Sequence, residues 1–333
     1  MATYNIKTNQ IIFETTDVDL SILNGIRRVL LMDIPILGII GNGTDSTVNI
    51  IENTTVLNNE IIENRIALIP LNITEDYNDK FIFGEDKLTL SLDVSCQEFE
   101  DIKTITTRDL IVTQNNKQVN NFFKEPYCII TKLRKNEKLK LTADAVKETG
   151  RKNASFNIVS GVTLYNKPKG DLETYKNTID YEKDYIEGHY IFKFEIINNT
   201  ISHKYMLMKA VDIIINKLSL LMEKSKIEKF NNNVSTYDFE FENENDTIGN
   251  IIQSYIFDNY VTTNKKIIEN NQCIYVGYIV KHPLDKILTI RLTLENENIE
   301  TAKTFLKQVC EEIIVEKLQP LKNKFSKFQN IKT

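Results

Sequence analysis

Tryptophan is absent from the 333-residue chain, histidine occurs three times and cysteine four times. His189, His203 and His282 are scattered, and Cys96, Cys128, Cys273 and Cys310 stand far apart with no Cys-x-x-Cys pair. Such spacing suggests neither a tetrahedral metal site nor a disulfide framework. No metal and no other cofactor is expected. Positive charge is not in excess either, because 41 Lys and Arg against 46 Asp and Glu leave a net charge of −5. That offers no overall basic field for gripping a phosphate backbone, so direct binding of nucleic acid is not expected. No stretch reaches the ~20 apolar residues of a membrane span, and Met1-Ala2-Thr3-Tyr4-Asn5 opens without a basic segment followed by an apolar run. The sequence thus predicts an intracellular, reduced protein that does not engage a membrane. Neither G-x-x-x-x-G-K-[ST] nor G-x-G-x-x-G occurs, which leaves no phosphate-cradling loop.

What is present is an ordinary globular composition, 41% hydrophobic and 26% charged, on a chain long enough for two modest domains or one domain with a large insertion. Residues 3–16 alternate polar and apolar as a half-buried strand does, and Asp17 or Asp19 follows as a helix N-cap. Ile22, Ile26, Val29 and Leu30 then fall at helical spacing, predicting a helix over 18–32 that Pro35 blocks from continuing. From 46 to 185 the pattern shifts to short strands with Asn/Asp/Lys-rich connectors, an inserted β-rich subdomain. Strand character returns at 190–196, and Ser202 can cap a long helix reaching about Lys229. Along that helix Leu207, Val211, Ile214, Leu218 and Leu221 step by 4, 3, 4 and 3 residues, the spacing of a coiled-coil seam.

After 229–233 the same plan begins again: a strand at 234–242, a helix at 246–260, strands near 274–280 and 287–294, and a long helix from about 298. Ser21-Ile22-Leu23-Asn24-Gly25-Ile26 aligns with Thr247-Ile248-Gly249-Asn250-Ile251-Ile252, and the last helix carries its own seam at Ala302, Leu306, Val309 and Ile313. Two such stripes in one chain can bury each other, or each can pack on its own sheet. The residues alone leave both arrangements open. After Ile313 only a Lys-rich tail is expected.

Candidate chemistry is thin. Asp17-Val18-Asp19 is the single Asp-x-Asp triplet and could hold metal ions in a nucleotidyltransferase, but helix capping is the simpler role. Asp238, Glu240, Glu242 and Glu244 alternate with Tyr237, Phe239 and Phe241, as on a strand with one solvated face. Lys147 to Lys152 reads as a basic surface loop without interleaved aromatics for stacking on bases. His282-Pro283 has no nearby nucleophile or carboxylate to complete a relay and reads as a turn.

Two longer motifs carry a resemblance: Asn24 through Pro35, NGIRRVLLMDIP, and Glu60 through Leu71, EIIENRIALIPL. Roughly residues 5–229 resemble the bacterial RNA polymerase α subunit and its relatives, the third-largest subunit of eukaryotic polymerase II and the archaeal D subunit. The insertion agrees through Ile105 to Leu110, Ile129 to Arg134 and Ala145 to Lys147. The remainder resembles the small partner, eukaryotic subunit 11 or archaeal L, through Asn245 to Asn250 and Val276 to Leu284. Both partners in one polypeptide is similar to the arrangement in cytoplasmic large DNA viruses.

The resemblance implies an α+β chain of two dimerisation units that form an intramolecular pseudo-dimer, with a β-rich subdomain inserted in the first. The units would be 1–45 with 186–232, then 46–185 as the insertion, then 233–333. It implies a non-catalytic assembly scaffold, with catalysis in its partners: the two largest polymerase subunits, beside a small subunit 10-like chain. DNA and RNA would be met only through the complex, and no homo-oligomer would be needed. The expected location is a viral factory in host cytoplasm and the virion, otherwise the nucleus. Asn24, Arg27, Arg28, Glu60 and Arg65 are the residues expected to dock a large subunit, because arginine presents a rigid charged fork to carbonyls or carboxylates. Each could instead serve within the chain. Gln253 stands where the first half has Arg27, so only one face of the pseudo-dimer is expected to use arginine. A free-standing interaction module of another complex, or an enzyme with an unseen site, are the competing readings.

Overall fold

A computed structural model describes residues 10–328 apart from 42, 83, 98–100, 171–184, 198–199, 224–225, 231–234, 262–272, 283, 285 and 296–297. Residues 3–9 of the expected first strand and Pro283 therefore lie outside the described residues.

The chain opens with β1 (Gln10–Thr15), α1 (Leu20–Met32) and β2 (Pro35–Gly38). It continues through β3 (Val48–Asn53), α2 (Asn59–Ala67), α3 (Glu75–Lys80), β4 (Leu88–Ser95), β5 (Ile102–Thr106), β6 (Ile111–Gln114) and β7 (Lys117–Val119). Then come β8 (Ile129–Arg134), β9 (Lys138–Asp144), β10 (Val146–Thr149), β11 (Val159–Pro168), β12 (Tyr185–Ile196) and the long α4 (His203–Glu223). The last third holds β13 (Lys226–Lys229), β14 (Thr236–Glu242), α5 (Asp246–Ile256), β15 (Cys273–Val280), β16 (Ile287–Leu294), α6 (Ile299–Glu312) and α7 (Gln319–Ser326). Together these make an α+β protein.

Two apolar cores organise it. The larger one draws on α1, α4, α5, α6 and α7 and on the inner faces of two antiparallel sheets, ordered β1-β12-β11 and β13-β14-β16-β15. The smaller core lies within Leu37 to Ala145, where the main sheet runs β3-β9-β4-β6-β7 beside the pair β5-β8. Between them lies the ribbon β2-β10. Successive side chains of a strand point to opposite faces, and β2 uses this: Ile36 enters the larger core and Leu37 the smaller.

Three expectations are corrected. Val159–Pro168, assigned to the insertion, pairs instead with β12 and sends Val159 and Val162 into the larger core. Its register shifts between Ser160 and Thr163, around Gly161 at φ +59°, which blurs the alternation a sequence reading relies on. Second, the long helix stops at Glu223, and Lys226–Lys229 becomes an edge strand on β14, with Ile227 packed on the core. Third, the chain beyond Ile313 is not merely a basic tail. It passes through a π-helical turn, Ile313–Leu318, into α7, and Leu318, Leu321, Phe325 and Phe328 are buried. Phe13 of β1 meets Phe325 and Phe328 edge-on, at 5.8 and 5.9 Å between ring centres.

Candidate functional site

The seam residues form one buried mass. Leu207, Val211, Ile214 and Leu218 of α4 are at 0% exposure, as are Ala302, Val309 and Ile313, with Leu221 and Leu306 at 5%. Helix α4 touches α6, the turn after it and α7, while α1 packs on both α4 and α5. The approach is tightest at Gly25, where an added Cβ would stand 2.7 Å from Ile251 Cδ1 and 3.6 Å from Ile214 Cδ1. Gly25 and Ile251 belong to the repeated hexapeptides, so the repeats face each other across the core.

The charged expectations divide. Arg28 Nε donates to Thr247 Oγ1 at 2.8 Å and its Nη2 lies 3.8 Å from Asp246 Oδ2, so this arginine ties the first half to the start of α5. The same helix end is capped by Asn245 Oδ1, which accepts from the Thr247 amide at 2.8 Å. Arg27, partly exposed, makes a long 3.4 Å bond from Nε to Asn24 Oδ1, one turn back. Glu60 and Arg65 lie on α2, far along the chain from α1, and neither has an ion-pair partner among the described residues. Helix α2 buries Ile62 and Ile66 in the smaller core and leaves Ile61, Arg65 and Leu68 outward at i, i+4 and i+7. Two exposed large apolar chains thus flank one free guanidinium.

Other candidates resolve into structural ties. Asp19 begins α1 but its carboxylate makes no cap bond; it pairs with Lys317 at 3.0 Å, and Asp17 with Lys324 at 3.3 Å. Asp19 thus stands at the expected N-cap position and its carbonyl accepts the first amides of α1, while the carboxylates of the triplet anchor the C-terminal segment. Lys147 to Thr149 belong to β10 and not to a loop. Arg151 reaches Asp33 at 2.6 Å, and Lys217 stands between Asp33 and Glu244 at 3.6 and 3.1 Å. Burial pushes the Glu244 carboxyl above its ordinary range, and Lys217 pulls it back only in part. The acid row of β14 is partly engaged as well: Asp238 holds Arg291 through two 2.7 Å bonds.

One polar cluster had no signal in the sequence. Asn78 of α3 is 1% exposed, and its Oδ1 accepts from the Leu37 amide at 3.0 Å while Nδ2 donates to the Pro35 carbonyl at 3.2 Å. Beside it Asp79 accepts from Tyr205 Oη at 2.6 Å and pairs with Lys209 at 2.9 Å. Burial works to raise the Asp79 carboxyl, but these two partners outweigh it and leave it below its ordinary value. Glu75 accepts from the Ser202 amide at 2.7 Å. The cluster clamps the insertion to β2 and to the first turn of α4.

Cys96, Cys273 and Cys310 are buried and Cys128 is exposed; burial raises the Cys273 and Cys310 thiols to about 12. Among the described residues no three His, Cys, Asp or Glu side chains converge as metal ligands, and no helix is long and apolar enough to cross a membrane.

Residues 236–323 match the family model of the RNA polymerase Rpb3/Rpb11 dimerisation domain. The chain is similar to DNA-directed RNA polymerase II subunit rpb3 of Dictyostelium discoideum, 32% identical over 168 residues, covering 46% of this chain and 52% of that one. It is also similar to RPB3 of Schizosaccharomyces pombe, 28% identical over 186 residues (51% and 60%), and to Rpo3 of Halobacterium salinarum, 32% over 142 residues (43% and 49%). The chain spans about half the length of the curated relatives it matches.

Proposed function

We propose that this chain, similar to the Rpb3/Rpb11-like subunits of DNA-directed RNA polymerases, is a non-catalytic assembly scaffold that carries both members of that pair in one polypeptide. The observation that carries the reading is the shared core: α1, α4 and the first sheet pack on α5, α6 and the second sheet, with the repeated hexapeptides face to face at Gly25 and Ile251. An internal pseudo-dimer accounts for that arrangement, its apolar stripes burying each other and leaving no need for a second copy. Its first unit takes in β11 as well as β1, β2, α1, β12 and α4; the insertion runs from β3 to β10; the second unit starts at β13.

In this reading the partners are the two largest polymerase subunits and a small subunit 10-like chain, and nucleic acid is met only through them. The outward stripe Ile61, Arg65 and Leu68 on α2, with Glu60 at its start and with Asn24 and Arg27 on α1, is the docking surface. Arg28 is the exception, an internal tie. A viral source, with work in host cytoplasm and packaging in the virion, rests on the fusion alone; the relatives named above come from cellular organisms, and a nuclear site is the other option. Affinity purification of the tagged chain from its source cells tests the scaffold: two subunits of more than ~100 kDa, the size the family resemblance implies, should co-purify in stoichiometric amount. Nucleotide incorporation by the isolated chain, or recovery with a complex lacking those subunits, would replace the reading.

A further inference from the structure

Residues 313–328 follow every other described element in the chain, yet α7 packs chiefly on the first unit. The π-helical turn Ile313–Leu318 leads into α7, whose main contact beyond that turn is α4. Phe325 and Phe328 stand edge-on to each other at 5.2 Å, and both meet Phe13 of β1, which also stacks on Phe192 at 5.2 Å. Strand β1 is the edge of its sheet and among the described residues pairs only with β12. Its inward phenylalanine is thus closed over, at 2% exposure, by side chains from the far end of the sequence.

The same segment grips the loop by which the chain enters α1. Lys317 pairs with Asp19 at 3.0 Å and Lys324 with Asp17 at 3.3 Å, while Lys322 reaches Asp212 on α4. Val18 and Ile22 line a small cavity together with Pro320 and Leu321. Asp19 matters most, because its carbonyl accepts the amides of Ile22 and Leu23, the first bonds of α1. That helix has no side-chain cap and no acidic residue in its first turn. Its start is therefore held from outside, by a lysine of the second unit on the residue where the helix begins.

We infer that residues 313–328 are a strap by which the second unit sets the docking helix of the first: Phe325 and Phe328 close the core over β1, and Lys317 and Lys324 fix the entry loop of α1. An order of events follows. Strand β1 and the start of α1 reach their final packing only after the second unit has folded onto α4, so a chain whose second unit is unformed presents no finished α1, with its Asn24 and Arg27, to a partner. Two forces divide the task. Apolar burial holds the strap down, whereas the partly exposed lysine–aspartate pairs add little stability, weaken in salt and aim the loop. The role given to α1 rests on the scaffold reading; the strap itself does not.

Hydrogen exchange on the full chain tests the strap. With Phe325→Ala and Phe328→Ala together, the amides of β1 and those of Ile22 and Leu23 should exchange at least about tenfold faster, while those of β14 and β16 keep their protection. Acceleration confined to 319–328, or equal in β14 and β16, would overturn the inference. Lys317→Gln with Lys324→Gln, at partly exposed positions, leaves the core intact and should speed the Ile22 and Leu23 amides by about threefold, the scale of two exposed pairs. Raising NaCl from ~0.05 M to ~1 M should reproduce that change in the wild type and add nothing in the variant. Unchanged exchange, as when a freed Asp19 carboxylate caps α1 by itself, also overturns the inference. Recovery of a large subunit by the phenylalanine variant should fall by about tenfold, and undiminished recovery despite altered exchange would refute the link to docking. A wild-type chain that recovers no large subunit removes the scaffold reading alone, and the exchange pattern still decides on the strap.

Discussion

The seam where α4 meets α6 and the clamp of α3 on β2 and α4 are built from opposite chemistry. The seam is apolar throughout, with Leu218, Ile214, Val309 and Ala302 at 0% exposure, whereas the clamp consists of Asn78, Asp79, Tyr205, Glu75 and Lys147. Apolar burial is strong but non-directional, while hydrogen bonds add little net stability and fix geometry. The first suits a joint that must hold, the second one that must point. What the clamp points is the insertion, and with it the exposed stripe of α2.

The contrast can be broken at the seam first. Leu218→Asp would bury an unpaired carboxylate at a cost of several kcal/mol. Cleavage at a protease site placed at 224–225, ahead of β13 and so between the two units, should leave wild-type fragments that co-elute on gel filtration at low micromolar concentration; in the variant they should separate. Separation of folded wild-type fragments would show that the seam does not hold by itself. At the clamp, Asn78→Leu strips partners from the buried Leu37 amide and Pro35 carbonyl, costing about 1–3 kcal/mol for each group left unsatisfied. Faster hydrogen exchange, greatest in β2 and α3 and smaller at the seam amides of the first unit, is the expected readout; loss confined to the clamp would mean that the two cores open independently.

Two smaller effects sharpen the picture. Arg28→Ala should lower stability by about 1 kcal/mol, the scale of one partly exposed charge-assisted bond, and Arg65→Ala should leave stability within about 0.5 kcal/mol. Pull-down of a large subunit should weaken only for the second. The reverse pattern would exchange their roles. Glu244 offers a pH test. Its carboxyl is raised in the folded state, so protonation favours folding, and the benefit is lost as pH rises through the folded value. Between pH 7 and pH 5 the wild type should therefore gain stability relative to Glu244→Gln, read as a narrowing or reversal of any deficit in melting temperature.

That the spaced apolar residues of α4 and α6 are buried was legible because the signal is local: the 4,3 stepping sits within single helices. What escaped was whatever depends on distant partners. Arg28 and Thr247 are 219 residues apart, so the repeat that exposed their helices could not show them touching. Leu318, Leu321, Phe325 and Phe328 are interleaved with Lys317, Lys322, Lys324 and Lys327, and the lysines dominate such a stretch until β1 supplies Phe13 as a counterpart. Asn78 looks like any polar residue of a connector. Only the meeting of β2 and α4 over α3 makes its amide a linchpin.

Ile36 and Leu37 are neighbours on one strand, yet each feeds a different core. A slip of one residue would exchange them, withdrawing an apolar side chain from both bodies at once. The ribbon β2-β10 thus works as a cotter pin: neither core can be laced correctly while the other is misaligned, and neither can loosen without tugging on the same four residues. Calorimetry should accordingly record one cooperative melting transition for insertion and first unit, where a freely tethered insertion would give two.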